Sequence, residues 1–338
     1  MARLLFASHD PSGANMLLPV FPLARARGHD VRVIGAGPAA TIFGQAGENV
    51  MPNAPLDGET KPALLVTGTA MGDFDRVLWR RARQAGVRTF AAVDAWTNLR
   101  LRFERDGGEV EEPDAIGVVD AAMADAVSRW SHARLHVVGQ PHLQALERRL
   151  HGKRAGHKPH MPPRIVFFSE CLREDGHRAK YGFDQFDVAD VLFPALAAAG
   201  PLDFSLKPHP RETVGGWQAF LTARSFAPLS VRVVDGPSEQ AMMAADGVLG
   251  IFTMVLLEAA LARIPILSVQ LGRKSVVNTL LERLPGAPVV DPIDLPGAIS
   301  AFLAAAAEGQ APAPQELLPL LTDADKRLMD AIESEAAD

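Results

Sequence analysis

A single cysteine, Cys171, stands in 338 residues, so no internal disulfide can form and thiolate-rich metal sites are excluded. Its thiol is expected to be free and buried. No window reaches the roughly eighteen apolar residues that a membrane-spanning helix requires. The first apolar run, Leu4-Leu5-Phe6-Ala7, is too short for a secretory signal and is soon interrupted by His9 and Asp10, so a cytoplasmic location is expected. Positive charge is not in excess either: 34 Lys and Arg against 40 Asp and Glu give a net charge of -6. The surface as a whole therefore attracts neither nucleic acid nor anionic lipid, and an anion must be held by a local cluster. Metal-ligand spacing is also lacking. His132 and His136 straddle a helix-to-strand junction, and His151, His157 and His160 fall in a segment that reads as a linker. No aspartate pair has the spacing of a metal-dependent transferase, and no metal is expected.

What the chain does have is apolar content, 48%, enough for two cores of roughly 150 residues each. Short apolar runs alternate with segments of helical spacing. Arg3 to Ala7, Asp30 to Gly35, Ala63 to Thr67, Arg88 to Val93, Ala115 to Val119 and Arg134 to Val138 read as strands. Met16 to Arg27, Phe74 to Ala85 and Ala121 to Trp130 read as helices among them. The plan repeats after a basic, proline-bearing break from His151 to Pro163. Strands are predicted at Arg164 to Phe168, Leu202 to Leu206, Val231 to Val234, Gly247 to Gly250 and Ile264 to Val269, with helices at Asp187 to Ala199 and Val255 to Ala262. The tail from Pro314 to Asp338 reads as one acidic amphipathic helix. Such alternation demands parallel sheets covered by helices on both faces. The expected organisation is a first α/β domain over 1–150, a linker over 151–163, a second over 164–312 and a terminal helix over 313–338.

The richest segment is Leu206-Lys207-Pro208-His209-Pro210-Arg211-Glu212. It follows a strand, and Lys207, His209 and Arg211 can each donate to phosphate oxygens, while the two prolines keep His209 on a stiff extended turn. About forty residues on, Gly250-Ile251-Phe252-Thr253-Met254 places a hydroxyl at a helix start. A basic loop and a helix amino terminus make two walls of an anion site, suited to a nucleotide mono- or diphosphate.

With these residues in view, the chain resembles the GT-B glycosyltransferases, in which two Rossmann-like doubly wound domains face a cleft. The Lys207-Pro208-His209-Pro210 segment resembles the His-Pro motif of bacterial sialyltransferase, polysialyltransferase and capsule-related families. A second likeness, to polysaccharide-cluster proteins, rests on Val93-Asp94-Ala95-Trp96 and on Asn98 through Phe103. The resemblance implies a first domain for the acceptor and a second for a nucleotide-sugar donor, CMP-, CDP- or UDP-linked, with no further cofactor. It implies that His209 contacts the donor phosphate beside Lys207 and Arg211. Thr253 matches the family's helix-start hydroxyl, although Phe252 replaces the second hydroxyl of the usual pair. Glu258 resembles the acid that holds the nucleotide ribose. The implied partners are a nucleotide sugar and a glycan or glycoconjugate acceptor, with any membrane association peripheral and through the acceptor only.

Transfer also needs a base on the first domain. His9 and Asp10 follow strand one, at the carboxyl end where open α/β sheets bind ligands, and Asp94 holds the equivalent place on a later strand. Asp10 is favoured, with His9 and Asp94 behind it; its bland alternative is a turn or helix cap. Ser12, Gly13 and Thr69 are expected to wall the acceptor side, and Trp96, Arg100 and Arg102 to suit an anionic acceptor, unless they form a helix with a solvated basic face. Glu170, in the first loop of the second domain, either lines the site or caps a helix. Three functions are in play: a metal-independent glycosyltransferase, which the basic and aromatic stretch from Trp96 to Phe103 favours, with a sugar-nucleotide epimerase or hydrolase and a non-catalytic nucleotide-sugar binder as alternatives.

Overall fold

The computed structural model describes residues 1–53, 56–105, 108–150, 152–272, 281, 284 and 291–337. Of the residues read above, His151 and Asp338 lie outside them. The chain divides into two compact units, Met1–Ala145 with Leu317–Asp338, and Leu146–Glu316.

The first unit is built on a parallel sheet of β1 (Arg3–Ser8), β2 (Asp30–Gly35), β3 (Val50–Met51), β4 (Leu64–Thr67), β5 (Arg88–Ala92), β6 (Ala115–Val118) and β7 (Arg134–Val137). Its order is β3-β2-β1-β4-β5-β6-β7. Leu4 to Ala7 are fully buried, because a strand covered on both faces needs an unbroken apolar run rather than an alternating one. Helices α1 (Pro11–Leu17), α2 (Phe21–Ala26), α3 (Gly37–Gln45), α4 (Phe74–Gln84) and α5 (Ala121–Ser128) follow the strands, and α6 (Pro141–Leu150) begins in this unit and ends in the second. The helix expected from Met16 to Arg27 is broken by a 3-10 turn at Leu18–Val20, since Pro19 and Pro22 have no N–H to continue the ladder.

The second unit has the order β10-β9-β8-β11-β12, with β8 (Arg164–Phe168), β9 (Asp203–Lys207), β10 (Val231–Val233), β11 (Gly247–Gly250) and β12 (Ile266–Ser268), again all parallel. Its helices are α7 (Arg178–Tyr181), α8 (Gln185–Ala199), α9 (Val214–Thr222), α10 (Ser238–Met243), α11 (Met254–Leu261) and α12 (Leu295–Glu308). Ile165, Phe167, Phe193, Phe204, Leu206 and Trp217 are at the heart of its core.

The tail is not one helix. A short α13 (Leu318–Leu321) gives way to α14 (Ala324–Ala337) across Asp323, whose φ of 51° lies in the left-handed region that an α-helix cannot contain. Leu328, Met329 and Ile332 of α14 are fully buried in the first unit's core with Phe6, Phe21 and Phe90. Each such side chain contributes about 1.5–3 kcal/mol on burial. The fully buried Glu335 then accepts from Arg88 at 2.5 Å, Arg134 at 3.1 Å and His136 at 2.8 Å, so this helix is fastened by both packing and charge.

Candidate functional site

In a doubly wound sheet, ligands bind beyond the carboxyl ends of the strands where strand order reverses. In the first unit that point lies between β1 and β4. The loops leaving these strands carry His9-Asp10 and Gly68 to Met71. They pack closely: a Cβ on Gly68 would fall 2.8 Å from the Gly13 Cα, so Gly68 requires glycine, and a Cβ on the buried Gly13 would meet Ser8 Oγ at 2.7 Å and the Gly68 Cα at 3.2 Å.

Asp10 is the residue before α1, with extended backbone, yet its side chain makes no capping bond. Its Oδ1 lies 2.7 Å from His9 Nδ1, and its Oδ2 accepts from the Met71 N–H at 3.4 Å. A carboxylate only accepts, so His9 donates through Nδ1 and keeps a lone pair on Nε2. The ring sits 5.9 Å from that of Phe74, and a Cβ on Gly37 would meet it at 2.8 Å. A half-exposed imidazole oriented by a carboxylate is the arrangement of a general base. Asp75 lies beneath. Its Oδ2 accepts from the Ala70 N–H at 2.7 Å, and burial, aided by the charge of Asp10, pushes its pKa up to about 7 against that hydrogen bond.

Asp94, Thr69 and Arg102 come together in the interior. Arg102 donates through one nitrogen to Asp94 Oδ1 at 2.6 Å, to the Thr69 carbonyl at 2.9 Å and to Thr69 Oγ1 at 3.0 Å. All three residues are buried. Asp94 is thus engaged as the counter-ion of a buried guanidinium, which cannot lose its partner without leaving an unpaired buried charge. Trp96 is half-buried and donates to Asp120 Oδ2 at 2.9 Å. Arg100 is exposed and pairs with Glu104, and Ser12 is partly exposed on α1.

In the second unit the order reverses between β8 and β11, and β9 lies beside β8. Lys207, last in β9, is buried, with Nζ 3.3 Å from the Pro208 carbonyl and 3.8 Å from Asp235. His209 accepts at Nδ1 from the Arg211 N–H at 3.2 Å, which leaves the proton on Nε2. Burial, then the charges of Arg211 and Lys207, lower its pKa. The ring is a neutral donor, fitted to a phosphate oxygen. Arg211 forms a two-pronged pair with Asp175 at 2.6 and 2.7 Å.

Glu212 organises this loop. Its carboxylate accepts from the His209 N–H at 2.6 Å, Ser169 Oγ at 3.0 Å, Gln185 Nε2 at 3.0 Å and Trp217 Nε1 at 3.1 Å. Across the switch point, Glu170 accepts from the Phe252 N–H at 3.1 Å. Burial pushes Glu170 up to about 8, opposed by that bond and aided by Glu212. Thr253 is the N-cap of α11, accepting from the Val255 N–H at 3.3 Å, with its hydroxyl proton left to donate. Glu258 follows on the same helix, partly buried, and its charge acts on Arg149. Lys207, His209, Glu170 and Thr253 therefore lie on three neighbouring loops laced through Ser169 and Glu212.

Sequence reasoning missed Glu212, although it ends the quoted motif, because a loop's anchor is indistinguishable from its ligand groups without the partners. It also missed Asp75, whose only signal is a carboxylate at an apolar position of α4.

No protein-family model matches the chain, and no curated protein sequence does. Solved structures match over nearly its whole length. UDP-GlcNAc 2-epimerase from Neisseria meningitidis bound to UDP-GlcNAc is 10% identical over 98% of this chain and all of that one, with a TM-score of 0.63. Anabaena Alr3699/HepE in complex with UDP and glucose is 14% identical over 99% and 100%, at 0.60. Spinosyn forosaminyltransferase SpnP is 16% identical over the full length of both chains, at 0.54. Likeness at such identities speaks for fold alone. With the two parallel sheets, it makes this a two-domain, Rossmann-like protein of the GT-B fold.

Proposed function

We propose that the chain is a glycosyltransferase that moves a sugar from a UDP-linked donor to a hydroxyl of a glycan or glycoconjugate acceptor, without a catalytic metal. The observation that carries this reading is the His9–Asp10 pair: the carboxylate declines the helix cap it could make and orients an accessible imidazole instead. His9 Nε2 takes the acceptor proton as the acceptor oxygen attacks the anomeric carbon, and Asp10 stabilises the imidazolium formed. The bond from that carbon to the UDP oxygen breaks. The charge released on the diphosphate falls to the Nε2–H of His209, the Thr253 hydroxyl and Lys207, while Glu258 holds the ribose and Glu170 and Arg211 flank the donor. Asp94 and Arg102 act by holding the loop after β5, and Ser12, Trp96 and Arg100 remain for the acceptor. Among the nucleotides left open by the sequence, UDP is favoured by the ligands of the solved neighbours.

Release of UDP from a panel of UDP-sugars, with and without glycan acceptors, tests this. Wild-type protein should release UDP only with acceptor, and His9→Ala should lose transfer by about a hundredfold or more while binding UDP unchanged. Acceptor-independent release would indicate a hydrolase, and binding without turnover a silent binder.

A second reading has its own support. Glu170, kept protonated near neutral pH, is an acid on the donor side, as an epimerase would use, and several solved neighbours are titled UDP-GlcNAc 2-epimerases, one of them as putative. UDP-GlcNAc incubated in D2O without acceptor would gain deuterium at sugar C2 under that reading, and would not under the first.

A further inference from the structure

We propose that His157, His160 and Asp246 form a binding site for a divalent transition-metal ion of the zinc type. Asp246 is fully buried just ahead of β11, and the two histidines precede β8. His157 Nε2 lies 2.8 Å from Asp246 Oδ1; His160 Nδ1 lies 3.1 Å from the same oxygen and 3.0 Å from Oδ2. The three ligand atoms all fall within 4.8 Å of one another. Two ligands about 2.0–2.1 Å from a tetrahedral zinc stand about 3.3 Å apart, so the imidazole–carboxylate separations need to open by only a few tenths of an ångström, and the two imidazole nitrogens start within 4.8 Å of each other.

The carboxylate is already oriented for this. Oδ2 is held by the main-chain N–H groups of His160 at 3.0 Å and Arg164 at 2.8 Å, the kind of outer support that fixes a ligating carboxylate. Oδ1 faces the two imidazoles. Two nitrogens and one carboxylate oxygen are a borderline donor set that takes zinc, cobalt or nickel before magnesium or calcium. His160 is 39% exposed at its side chain, which gives a water access to the remaining position. Arg154, buried beside Asp246 with one nitrogen bonded to the carbonyls of Met243 and Ala245, opposes the ion and points to an exchangeable site.

The cluster lies at the amino-terminal edge of the sheet, where the Asp246 N–H meets the Arg164 carbonyl at 2.7 Å. The phosphate loop leaves the opposite edge, so this site does not depend on the reading above. An ion here would tie the segment ahead of β8 to β11.

Chelator-treated protein titrated with Zn²⁺ at pH 7.5 should bind one equivalent and gain a few degrees in Tm, about what saturation at a hundredfold excess over Kd supplies. Co²⁺ should give the visible absorption of a low-symmetry site. His157→Gln and His160→Gln keep an N–H toward Asp246 while removing the ligating nitrogen. Each should lose at least about tenfold in Zn²⁺ affinity and the Co²⁺ band, with metal-free Tm near that of the parent. In the unaltered protein, two imidazole NMR signals should move in step with Zn²⁺. Absence of saturable binding, or Zn²⁺ affinity in both variants equal to that of the unaltered protein, overturns the proposal.

Discussion

Replacing Glu170 by Gln isolates one proton on a partly buried carboxyl. The folded protein holds it up to about pH 8, against an ordinary value of 4.5, and the Phe252 N–H can be accepted by an acid or an amide oxygen alike. Between those two values the unfolded chain loses the proton and the folded one keeps it. Each pH unit in that window therefore lowers stability by about 1.4 kcal/mol, and the whole gap is worth roughly 5 kcal/mol at most. Gln cannot ionise. The advantage of Glu170→Gln over the parent should be small at pH 5, grow by roughly 2–3 kcal/mol from pH 6 to 8, and level off above. Because the chain divides into two compact units, a two-state global transition is not assured, and amide exchange in peptides covering β8 and β11, compared at matched pH, is the suitable assay. Stability profiles that run parallel from pH 5 to 9 would show that Glu170 ionises normally, and would remove the acid on which the epimerase reading depends.

Three further outcomes follow from the proposed function. His209→Ala should weaken UDP binding roughly 10- to 100-fold, the scale of one hydrogen bond to a charged group, with the fold intact; unaltered affinity by calorimetry would free His209 from the phosphate. Glu258→Gln should raise the donor KM more than it lowers kcat, since a ribose contact is made equally in ground and transition states, and a collapse of kcat at constant KM would move Glu258 to the chemical step. Asp10→Asn should leave UDP affinity untouched and cut transfer by about a hundredfold or more; near-normal transfer would return Asp10 to a turn-forming role, because Asn serves a helix start as well as Asp.

The alternation of apolar runs and helical spacing made the doubly wound plan readable, and with it the loops that matter, since they leave the carboxyl ends of identifiable strands. β3 escaped notice because two residues, Val50 and Met51, display no period. Asp94 and Arg102 read as base and acceptor contact, yet eight residues of chain bring them together as an interior pair. Charge is visible in a sequence; its neutralisation is not. The same limit hid Asp246, 86 and 89 positions from its histidines, whose segment looked like a bare linker. At Asp10 the residue type allowed both a cap and a functional carboxylate, and neither the missing cap bond nor the contact with His9 could be read from the sequence.

The return of α14 to the first unit sets an order on how the chain can be made. Leu328, Met329 and Ile332 fill the same core as Phe6, so that core stays open until more than three hundred residues have left the ribosome. The second unit is continuous from Leu146 to Glu316 and has all its parts earlier. Synthesis at about 5–20 residues per second thus leaves the amino-terminal strands waiting for tens of seconds beside an uncovered apolar face. A stop codon ahead of Leu328 would leave the second unit with all its residues and the first without the three side chains that α14 lends its core.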